Sequence, residues 1–216
     1  DMADESVNTA WQKRFQEQNE TVFFIDCLNK KGIAELVTNI KLYKQSIRYD
    51  RAVHVMIVGI PNVGKSMLIN TLAKRNAAHA ANRPGVTRAN QWIKVGMDFY
   101  LLDTPGVLPP KFDTNEDGYA LTAIGSIKDA IVDKDELALF ILTFLKRQYP
   151  LMLKERYKLD TIDCDGVALM EQIAEKRGFK NKGGVYDYER TAFTILDEFR
   201  NGKIGRISFD LPTDAE

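Results

Sequence analysis

The sequence predicts an α/β fold: a Rossmann-like domain with a mainly parallel sheet, followed by a smaller, C-terminal all-helical domain. In the first half, short apolar runs alternate with amphipathic helical patterns, which is typical of parallel sheets flanked by helices. Beyond Pro109-Pro110, which interrupts regular structure, only helical periodicity recurs. We therefore divide the chain into an α/β domain, residues 1–112, and a helical domain, residues 113–216.

The composition is that of a water-soluble globular protein. Hydrophobic residues make up 44% and charged residues 28% of the 216 residues, and thirty basic residues balance thirty acidic ones. Cys27 and Cys164 do not have metal-ligand spacing, so free thiols in a reducing cytosol are favoured over a disulfide. No apolar run approaches the roughly 20 residues of a membrane span, and no signal peptide opens the sequence. We therefore expect a cytoplasmic location and no membrane partner.

The first half is expected to alternate between helices and strands. Residues 1–19 predict a polar helix, 21–25 a short buried strand, 33–40 an amphipathic helix, 41–50 a polar connector and 53–58 a buried strand. The apolar stripe of the first helix consists of Val7, Trp11 and Phe15.

A polar loop over residues 75–90 follows the next helical pattern, and two strands follow the loop, at 91–95 and 99–102, with a tight turn at Gly96-Met97. In the second half, amphipathic patterns predict helices at 115–128, 135–148, 167–177 and 188–199.

The most informative stretch is the glycine-rich loop Gly59–Ser66, which reads G-x-x-x-x-G-K-S. It follows the apolar run 53–58 and precedes a helical pattern that begins at Met67. In a P-loop of this kind, backbone N–H groups wrap phosphates, and the helix N-terminus adds partial positive charge. Lys65 adds a full positive charge. The sequence therefore predicts a binding site for a nucleoside triphosphate.

Two further motifs follow in the order that such a site requires. Asp103-Thr104-Pro105-Gly106 ends a predicted strand, where the aspartate can hold Mg²⁺ through water and the Gly106 N–H can reach the terminal phosphate. Arg83-Pro84-Gly85-Val86-Thr87 lies in the preceding loop, where the threonine can close over the metal. A turn and a strand end arising by chance do not explain three motifs in this order.

With these motifs the chain resembles the translation-factor-related GTPases. The resemblance implies that Lys65 binds the β- and γ-phosphates, that Ser66 and Thr87 ligate Mg²⁺, and that Asp103 supports the metal through its water shell. It gives Lys65, Thr87 and Gly106 catalytic roles. The residues that it assigns to the nucleotide are Asp1, Asp26, Cys27, Pro61, Asn62, Val63, Gly64, Lys65, Ser66, Met67 and Gly106.

The guanine-reading motif N-K-x-D does not occur downstream of Gly106, where it usually lies. Instead, Asp26-Cys27-Leu28 with Gly32 resembles the S-A-K-x-x-G region that normally ends a GTPase domain, although Asp and Cys replace Ser and Ala. Its place before the P-loop indicates a circularly permuted GTPase. Asp1-Met2-Ala3-Asp4 resembles the end of an N-K-x-D motif, with Asp1 reading guanine and the Asn-Lys strand preceding it. The alternative is an ordinary exposed N-terminal aspartate.

Over essentially its whole length the chain resembles the RbgA/YlqF family of circularly permuted ribosome-assembly GTPases. In the second half the resemblance is carried by Gly125–Asp129, Leu153–Tyr157 and Gly205–Phe209. It implies a cytoplasmic, monomeric bacterial enzyme that hydrolyses GTP with Mg²⁺ late in the assembly of the large (50S) ribosomal subunit. It also implies that the helical domain contacts the immature subunit through rRNA and ribosomal proteins.

The residues that orient the attacking water are not evident. Val107 lies where many GTPases carry a water-orienting glutamine, and Ile60 is also apolar. The resemblance implies a histidine in a segment before Asp1. Of the histidines present, we expect His54 to be packed in a buried strand, and His79 lies in the loop that closes over the phosphates.

Asn62 suggests a second cation. In related GTPases an asparagine at this P-loop position helps to hold a K⁺ ion, which offsets developing charge as an arginine finger does. The alternative is an asparagine that bonds only to local backbone.

Basic residues of the second half predict either contacts with RNA phosphates or solvated helix faces. They are Lys146-Arg147, Lys154, Arg156, Lys158, Lys176-Arg177, Lys180 and Lys182. Two other functions remain open at this point. One is an ATP-using P-loop enzyme, which the N-K-x-D remnant opposes. The other is an RNA-binding adaptor whose nucleotide site is only structural.

Overall fold

The computed structural model describes the ranges 1–46, 52–73, 91–96, 99–112, 114–129 and 132–212. Within these ranges the chain forms eight helices and three strands. It divides into two compact units. The sheet unit comprises Asp1, Glu5–Pro110 and Asp210–Glu216, and the helical unit comprises Met2–Asp4 and Lys111–Phe209. The predicted loop that carries His79 and Thr87 lies outside the described residues.

The sheet has three strands, β1 (Val53–Ile57), β2 (Gln91–Val95) and β3 (Phe99–Asp103), in the order β1-β3-β2. β1 pairs with β3 in parallel, and β2 pairs with β3 antiparallel. The expectation of a mainly parallel sheet is therefore wrong for the described part of the chain, where the sheet is mixed. The register places Ile57 opposite Asp103, so the end of β1 adjoins the end of β3.

The strand expected at residues 21–25 does not form. The structure has only an isolated antiparallel bridge between Asp26 and Lys31 at this point. A strand requires a neighbour that supplies a ladder of hydrogen bonds, and residues 21–25 have no such ladder within the described ranges. Their apolar composition alone was therefore a misleading signal.

Three helices belong to the sheet unit: α1 (Glu5–Glu17), α2 (Ile33–Ser46) and α3 (Lys65–Ala73). The core of the unit is formed by Ile69, Leu72, Ile93, Phe99 and Leu101, with the apolar stripe of α2 packed against it. α2 extends to Ser46, so the connector expected at residues 41–50 is wrong for 41–46, and 47–50 lie outside the described residues. Lysine, leucine and glutamine are good helix formers and continue the helix on an exposed surface without an apolar stripe.

The opposite face of the sheet carries exposed side chains. His54 is exposed, with its ring 4.9 Å from the ring of Trp92 and 5.4 Å from that of Tyr100. The expectation of a buried His54 is therefore wrong. Exposure alternates along β1, which is the pattern of a strand with only one covered face.

The helical unit contains α4 (Asn115–Ala123), α5 (Lys134–Gln148), α6 (Pro150–Tyr157), α7 (Gly166–Arg177) and α8 (Tyr188–Arg200). Four of these helices were expected, although α4 ends at Ala123 rather than near Lys128. α5 supplies much of the core through residues such as Leu137, Ile141 and Leu145, each fully buried. None of the helices in the described ranges is both long enough and apolar enough to cross a membrane.

α6 was not expected from the sequence. Pro150 occupies its first turn, where the missing N–H costs nothing. Only Leu153 and Tyr157 of this short helix are buried, so its apolar stripe has two members and gives no clear periodicity. The helix ends at Lys158, whose backbone is left-handed with φ 53°.

Two ionic groups connect the helices, one around the half-buried Arg200 and one around the buried Glu198. The Arg200 guanidinium donates to the carbonyls of Thr122 (2.7 Å) and Ala123 (3.0 Å) and to both carboxylate oxygens of Asp129. It thereby adds donors to two carbonyls in the last turn of α4, of which that of Thr122 also accepts from the Gly125 N–H at 2.9 Å. Glu198 of α8 accepts from Arg156 of α6 and Arg177 of α7.

Candidate nucleotide-binding site

The site begins where β1 passes into α3. The loop between them spans residues 58–64, and its backbone includes three left-handed positions, Gly59 (φ 154°), Asn62 (φ 61°) and Gly64 (φ 93°). Asparagine tolerates this region better than most residues because its side chain can bond locally. The loop therefore has the curved path that aims consecutive N–H groups at a phosphate. Val63 and Met67 are exposed beside it.

Lys65, the first residue of α3, is folded back onto the loop. Its Nζ donates to the carbonyls of Gly59 (3.1 Å) and Ile60 (2.7 Å). Burial lowers the pKa of the Lys65 ammonium, and the negative charge of Asp103 opposes that shift. An anionic phosphate arriving at the loop would also favour the charged form of Lys65. Ser66 follows in the first turn of α3, half-buried.

The D-x-x-G stretch lies directly against this loop. Asp103 ends β3 opposite Ile57 and is only 3% exposed. The next residue, Thr104, donates its hydroxyl to the Ile57 carbonyl at 2.6 Å, and the Val107 N–H donates to the Gly59 carbonyl at 3.2 Å. The parallel pairing of β1 with β3 thus brings both motifs to one edge of the sheet.

Gly106 is required by the closeness of this approach. A Cβ atom at this position would lie 2.5 Å from the Cα and 2.6 Å from the nitrogen of Pro61. Any side chain here would therefore force the two loops apart. Pro61 and Gly106 are therefore in direct contact.

Ile60 of the P-loop and Val107 after the D-x-x-G stretch are both apolar residues close to the phosphate loop. Val107 is 71% exposed and Ile60 is half-buried. Neither side chain can hydrogen-bond a water molecule. The described residues therefore provide no glutamine-like group at this point, and His54 lies on the exposed face of the sheet instead.

The loop expected to contact the base is closed by its own hydrogen bonds. Asp26 and Lys31 exchange two backbone hydrogen bonds, and the Asp26 carboxylate accepts from the N–H (2.9 Å) and side-chain amide (2.7 Å) of Asn29. These bonds from Asn29 lower the pKa of Asp26. The Asp26 side chain therefore stabilises the loop from within, and contact with a base is left to the backbone around Cys27.

Asp1 and Cys27 both lie near this loop. The positive N-terminal amino group of Asp1 contributes to the lowered pKa of Asp26 and partly opposes the raised pKa of Cys27. Burial raises the pKa of the Cys27 thiol, and a hydrogen bond with Thr71 of α3 opposes the rise. Cys27 thus lies beside α3, whereas Thr87 lies outside the described residues.

A divalent cation would find few acidic ligands here. No group of three or more His, Cys, Asp and Glu residues able to hold a metal occurs in the part of the chain that the structure describes. At a P-loop, however, hydroxyl and phosphate oxygens supply much of the coordination. Ser66 in the first turn of α3 and the buried Asp103 fit that kind of site, because a buried carboxylate is stabilised by a nearby cation.

Thr104 was not singled out from the sequence. Its hydroxyl connects the D-x-x-G stretch to the strand that leads into the P-loop. The available signal was its position next to Asp103 at the end of a strand, since a hydroxyl there can reach the carbonyl of a paired neighbour.

Comparison with known proteins agrees with this geometry. Residues 54–177 match the family model described as "50S ribosome-binding GTPase". The chain is 43% identical to "Ribosome biogenesis GTPase A" of Priestia megaterium over 225 residues, covering 100% of this chain and 78% of that protein. It is 41% identical to the protein of the same name from Bacillus cereus, covering 99% of this chain and 75% of that protein.

A solved structure resembles the fold of this chain. The GDP-bound YlqF of T. maritima superposes with a TM-score of 0.67 at 27% sequence identity, covering 99% of this chain and 80% of that one. This likeness spans nearly the whole chain, including both compact units.

Proposed function

Because the chain belongs to the ribosome biogenesis GTPase A (RbgA/YlqF) family, we propose that it binds and hydrolyses GTP to drive a late step in assembly of the 50S ribosomal subunit. The resemblance predicted from the sequence motifs is confirmed at the level of the family. The finer statements, which concern guanine recognition, the metals and the ribosomal partners, are proposals for this chain.

One observation carries the proposal: the P-loop and the D-x-x-G stretch meet at a single edge of the sheet. Thr104 bonds to Ile57, Val107 bonds to Gly59, and Gly106 touches Pro61. A polyphosphate lying on the P-loop would therefore also lie against Gly106. Loss of the terminal phosphate would remove its contact with the D-x-x-G stretch and allow that stretch to move, which is how nucleotide switches change conformation.

In this proposal Lys65 exchanges its two carbonyl partners for phosphate oxygens when the nucleotide binds. The ammonium then neutralises charge that develops on the β- and γ-phosphates during hydrolysis. The Gly106 N–H donates to the terminal phosphate. Because Val107 and Ile60 cannot orient water, we expect hydrolysis by the isolated protein to be slow and the ribosomal particle to accelerate it.

Ser66, Thr87 and Asp103 would hold the Mg²⁺, whose chemistry is to neutralise charge shared between the β- and γ-phosphates. Asn62 would contribute to a K⁺ site beside the phosphates. The K⁺ proposal predicts faster hydrolysis in potassium than in sodium salts at equal ionic strength. Equal rates in the two salts would exclude a potassium role while leaving the GTPase proposal intact.

Guanine would be read by Asp1 together with the backbone around Cys27. The base loop before the P-loop supports a circular permutation, in which the base-reading motifs precede the phosphate-binding ones. Nucleotide competition tests this proposal: GTP and GDP should displace a labelled guanine nucleotide, and ATP should not. Displacement by ATP as effective as that by GTP would instead favour an ATP-using P-loop enzyme.

The decisive experiment measures phosphate release from GTP with and without 50S subunits. We expect the subunits to raise the rate and Lys65→Ala to abolish most of it. If Lys65→Ala retained both binding to the subunits and support of subunit assembly in cells, the protein would be an adaptor with a structural nucleotide site. No detectable GTP binding with Mg²⁺ would overturn the proposed function altogether.

A further inference from the structure

The segment Gly205–Phe209 carries part of the family resemblance, but the proposed function gives it no role. It is an irregular stretch beyond the end of α8, and it bonds to the opposite end of the chain. The Ile207 N–H donates to the Met2 carbonyl at 3.0 Å, and the Ser208 Oγ accepts from the Asp4 N–H at 3.1 Å. The segment therefore holds the backbone at two points close to the first residue.

Tyr149 fixes Ser208 in turn. Its phenolic oxygen accepts from the Ser208 N–H at 3.1 Å and donates to the Ser208 carbonyl at 3.3 Å. Burial raises the pKa of Tyr149, so the hydroxyl keeps its proton near neutral pH and remains a donor. The residue lies at the junction of α5 and α6, where its N–H donates to Leu145 at 2.8 Å and its carbonyl accepts from Leu153 at 3.1 Å. The phenol is thus attached to backbone that both helices hold.

Phe209 anchors the segment on the core of the helical unit. Its ring packs against three other phenylalanine rings, at centroid distances of 4.6 Å (Phe144), 5.4 Å (Phe199) and 5.8 Å (Phe140). Aromatic rings at these separations attract one another beyond the burial of their area. Because Phe209 follows Ser208 directly, the bonds to the start of the chain come from an ordered stretch and not from a free loop.

The side chain of Met2 is held as well. A Cβ at Gly202 would lie 3.0 Å from the Met2 Sδ and 3.2 Å from its Cε, so the thioether lies over bare backbone. Gly202 also has a left-handed backbone, with φ 64°, which glycine adopts without strain. Met2 is therefore fixed both by its carbonyl and by its side chain.

This attachment lies one peptide bond away from Asp1. Met2–Asp4 belong to the helical unit, and Asp1 belongs to the sheet unit. Because the peptide bond that joins Asp1 to Met2 is planar, only a few rotatable bonds separate the fixed Met2 carbonyl from the Asp1 carboxylate. A segment that is held before the base arrives requires less ordering when the nucleotide binds.

We propose that Ser208 and Tyr149 are positioning residues for guanine recognition, which act by fixing the segment that follows Asp1. The inference rests on the proposed function, because it takes Asp1 as the acceptor for the guanine N1–H and exocyclic amine. In this role neither residue contacts the nucleotide itself. A carboxylate that accepts from two donors at once depends on its orientation, so a loosely held Asp1 would bind guanine less well.

The test compares GTP with inosine triphosphate (ITP), which lacks the exocyclic amine, in equilibrium binding to the intact protein with Mg²⁺. The double variant Tyr149→Phe, Ser208→Ala should bind GTP roughly 5- to 20-fold more weakly and ITP only about twofold more weakly. Single-turnover hydrolysis at saturating GTP should stay within about twofold of the wild-type rate, because contacts with the base are the same in the ground state and the transition state.

A matched control is the double variant Tyr119→Phe, Thr194→Ala, which removes one phenolic and one aliphatic hydroxyl from the same unit. These hydroxyls bond elsewhere: Tyr119 donates to Glu136 at 3.0 Å, and Thr194 donates to the Arg190 carbonyl at 2.8 Å. The control should bind both nucleotides as the wild type does. Ser208→Thr keeps a hydroxyl that can accept from the backbone and should retain the wild-type preference for GTP over ITP.

Equal weakening of GTP and ITP binding would overturn the inference, because a purely structural role does not distinguish the two bases. Wild-type affinities in the double variant would overturn it as well. If circular dichroism shows that the double variant is unfolded, Ser208→Ala alone decides the question in the same assay. Failure of the proposed function is seen in the wild type instead: equal affinity for GTP and ITP would remove the base-reading role of Asp1, and no binding of either would remove the nucleotide site.

Discussion

Gly106 is the residue at which the two phosphate-binding loops come closest. Because a Cβ here would meet the backbone of Pro61 at 2.5 Å, Gly106→Ala should displace the D-x-x-G stretch from the P-loop. We expect subunit-stimulated GTP hydrolysis to fall by roughly 10- to 100-fold, the loss that misplacement by about 1 Å can cause. Single-turnover hydrolysis at saturating GTP measures the effect on the chemical step.

Gly118→Ala provides a matched control. A Cβ at Gly118 would lie 3.8 Å from Phe112 Cδ2, an ordinary contact, and the residue belongs to α4. Alanine in a helix is preferred over glycine by about 1 kcal/mol, so this variant should hydrolyse GTP normally. Normal activity in Gly106→Ala would show that the contact with Pro61 has no role in catalysis.

Glu198 makes stability depend on pH. Burial alone would raise its pKa, but hydrogen bonding to Arg156 and the charges of Arg177 and Arg156 hold the pKa below its ordinary value. A carboxyl group with a lowered pKa in the folded protein stabilises it above the ordinary glutamate range. That contribution is lost as the pH falls below the range, toward the folded pKa. Glu198→Gln should therefore lower the free energy of unfolding at pH 7 by about 2 kcal/mol.

Urea unfolding at neutral pH and near pH 3.5 checks this expectation, because the difference from the wild type should shrink on acidification. Glu155→Gln is the control: Glu155 is exposed on the same helix as Arg156, so its replacement should change stability by no more than about 0.5 kcal/mol. If Glu198→Gln lowers the free energy of unfolding equally at both pH values, the lost stability comes from packing and not from charge.

At the scale of elements, the reliability of sequence reasoning depended on whether the signal was local. The P-loop was found because its glycines, lysine and flanking apolar runs are contiguous, and α5 and α8 because their stripes repeat over several turns. The strand predicted at residues 21–25 was wrong because strand formation depends on a neighbouring strand elsewhere in the chain. His54 was misplaced because an apolar run does not reveal which face of a sheet is covered.

The hydrogen bonds and ion pairs that join the helices could not be predicted from the sequence either. Arg200 is an unremarkable basic residue at the end of α8, yet it lies next to carbonyls of α4, far away along the chain. Such pairings are set by the packing of the helices and have no periodic signature. The same holds for Arg156 and Arg177, whose shared bond to Glu198 has no counterpart in the sequence pattern.

Arg200→Lys tests the bridge between α8 and the end of α4. A lysine carries one ammonium and cannot reach two carbonyls and both oxygens of Asp129 as the planar guanidinium does. We expect hydrogen exchange to accelerate at the amides of residues 124–127, which close the end of α4, while the middle of α5 stays protected. Unchanged exchange at residues 124–127 would show that the turn is stable without the arginine.

At the scale of the whole molecule, the two compact units differ in the size of their cores. Within the described ranges, five buried residues form the core of the sheet unit and eighteen that of the helical unit. Since apolar burial is the main stabilising contribution, we expect the sheet unit to unfold first on heating. The described residues of the proposed nucleotide site lie in that unit, so a ligand should stabilise the weaker part of the protein.

Scanning calorimetry should therefore show two transitions, and only the lower one should rise in temperature when GDP and Mg²⁺ are added. At a free ligand concentration of about 100 times Kd the stabilisation should approach 2.7 kcal/mol for the sheet unit. Lys65→Ala should keep both transitions but remove the ligand-dependent shift, because the lysine contributes to phosphate binding more than to the core.

A single transition that shifts as a whole would mean that the units unfold cooperatively, and nucleotide binding would then stabilise the helical unit as well. A shift confined to the upper transition would contradict the placement of the site on the sheet unit, because a ligand stabilises the part of the molecule that binds it.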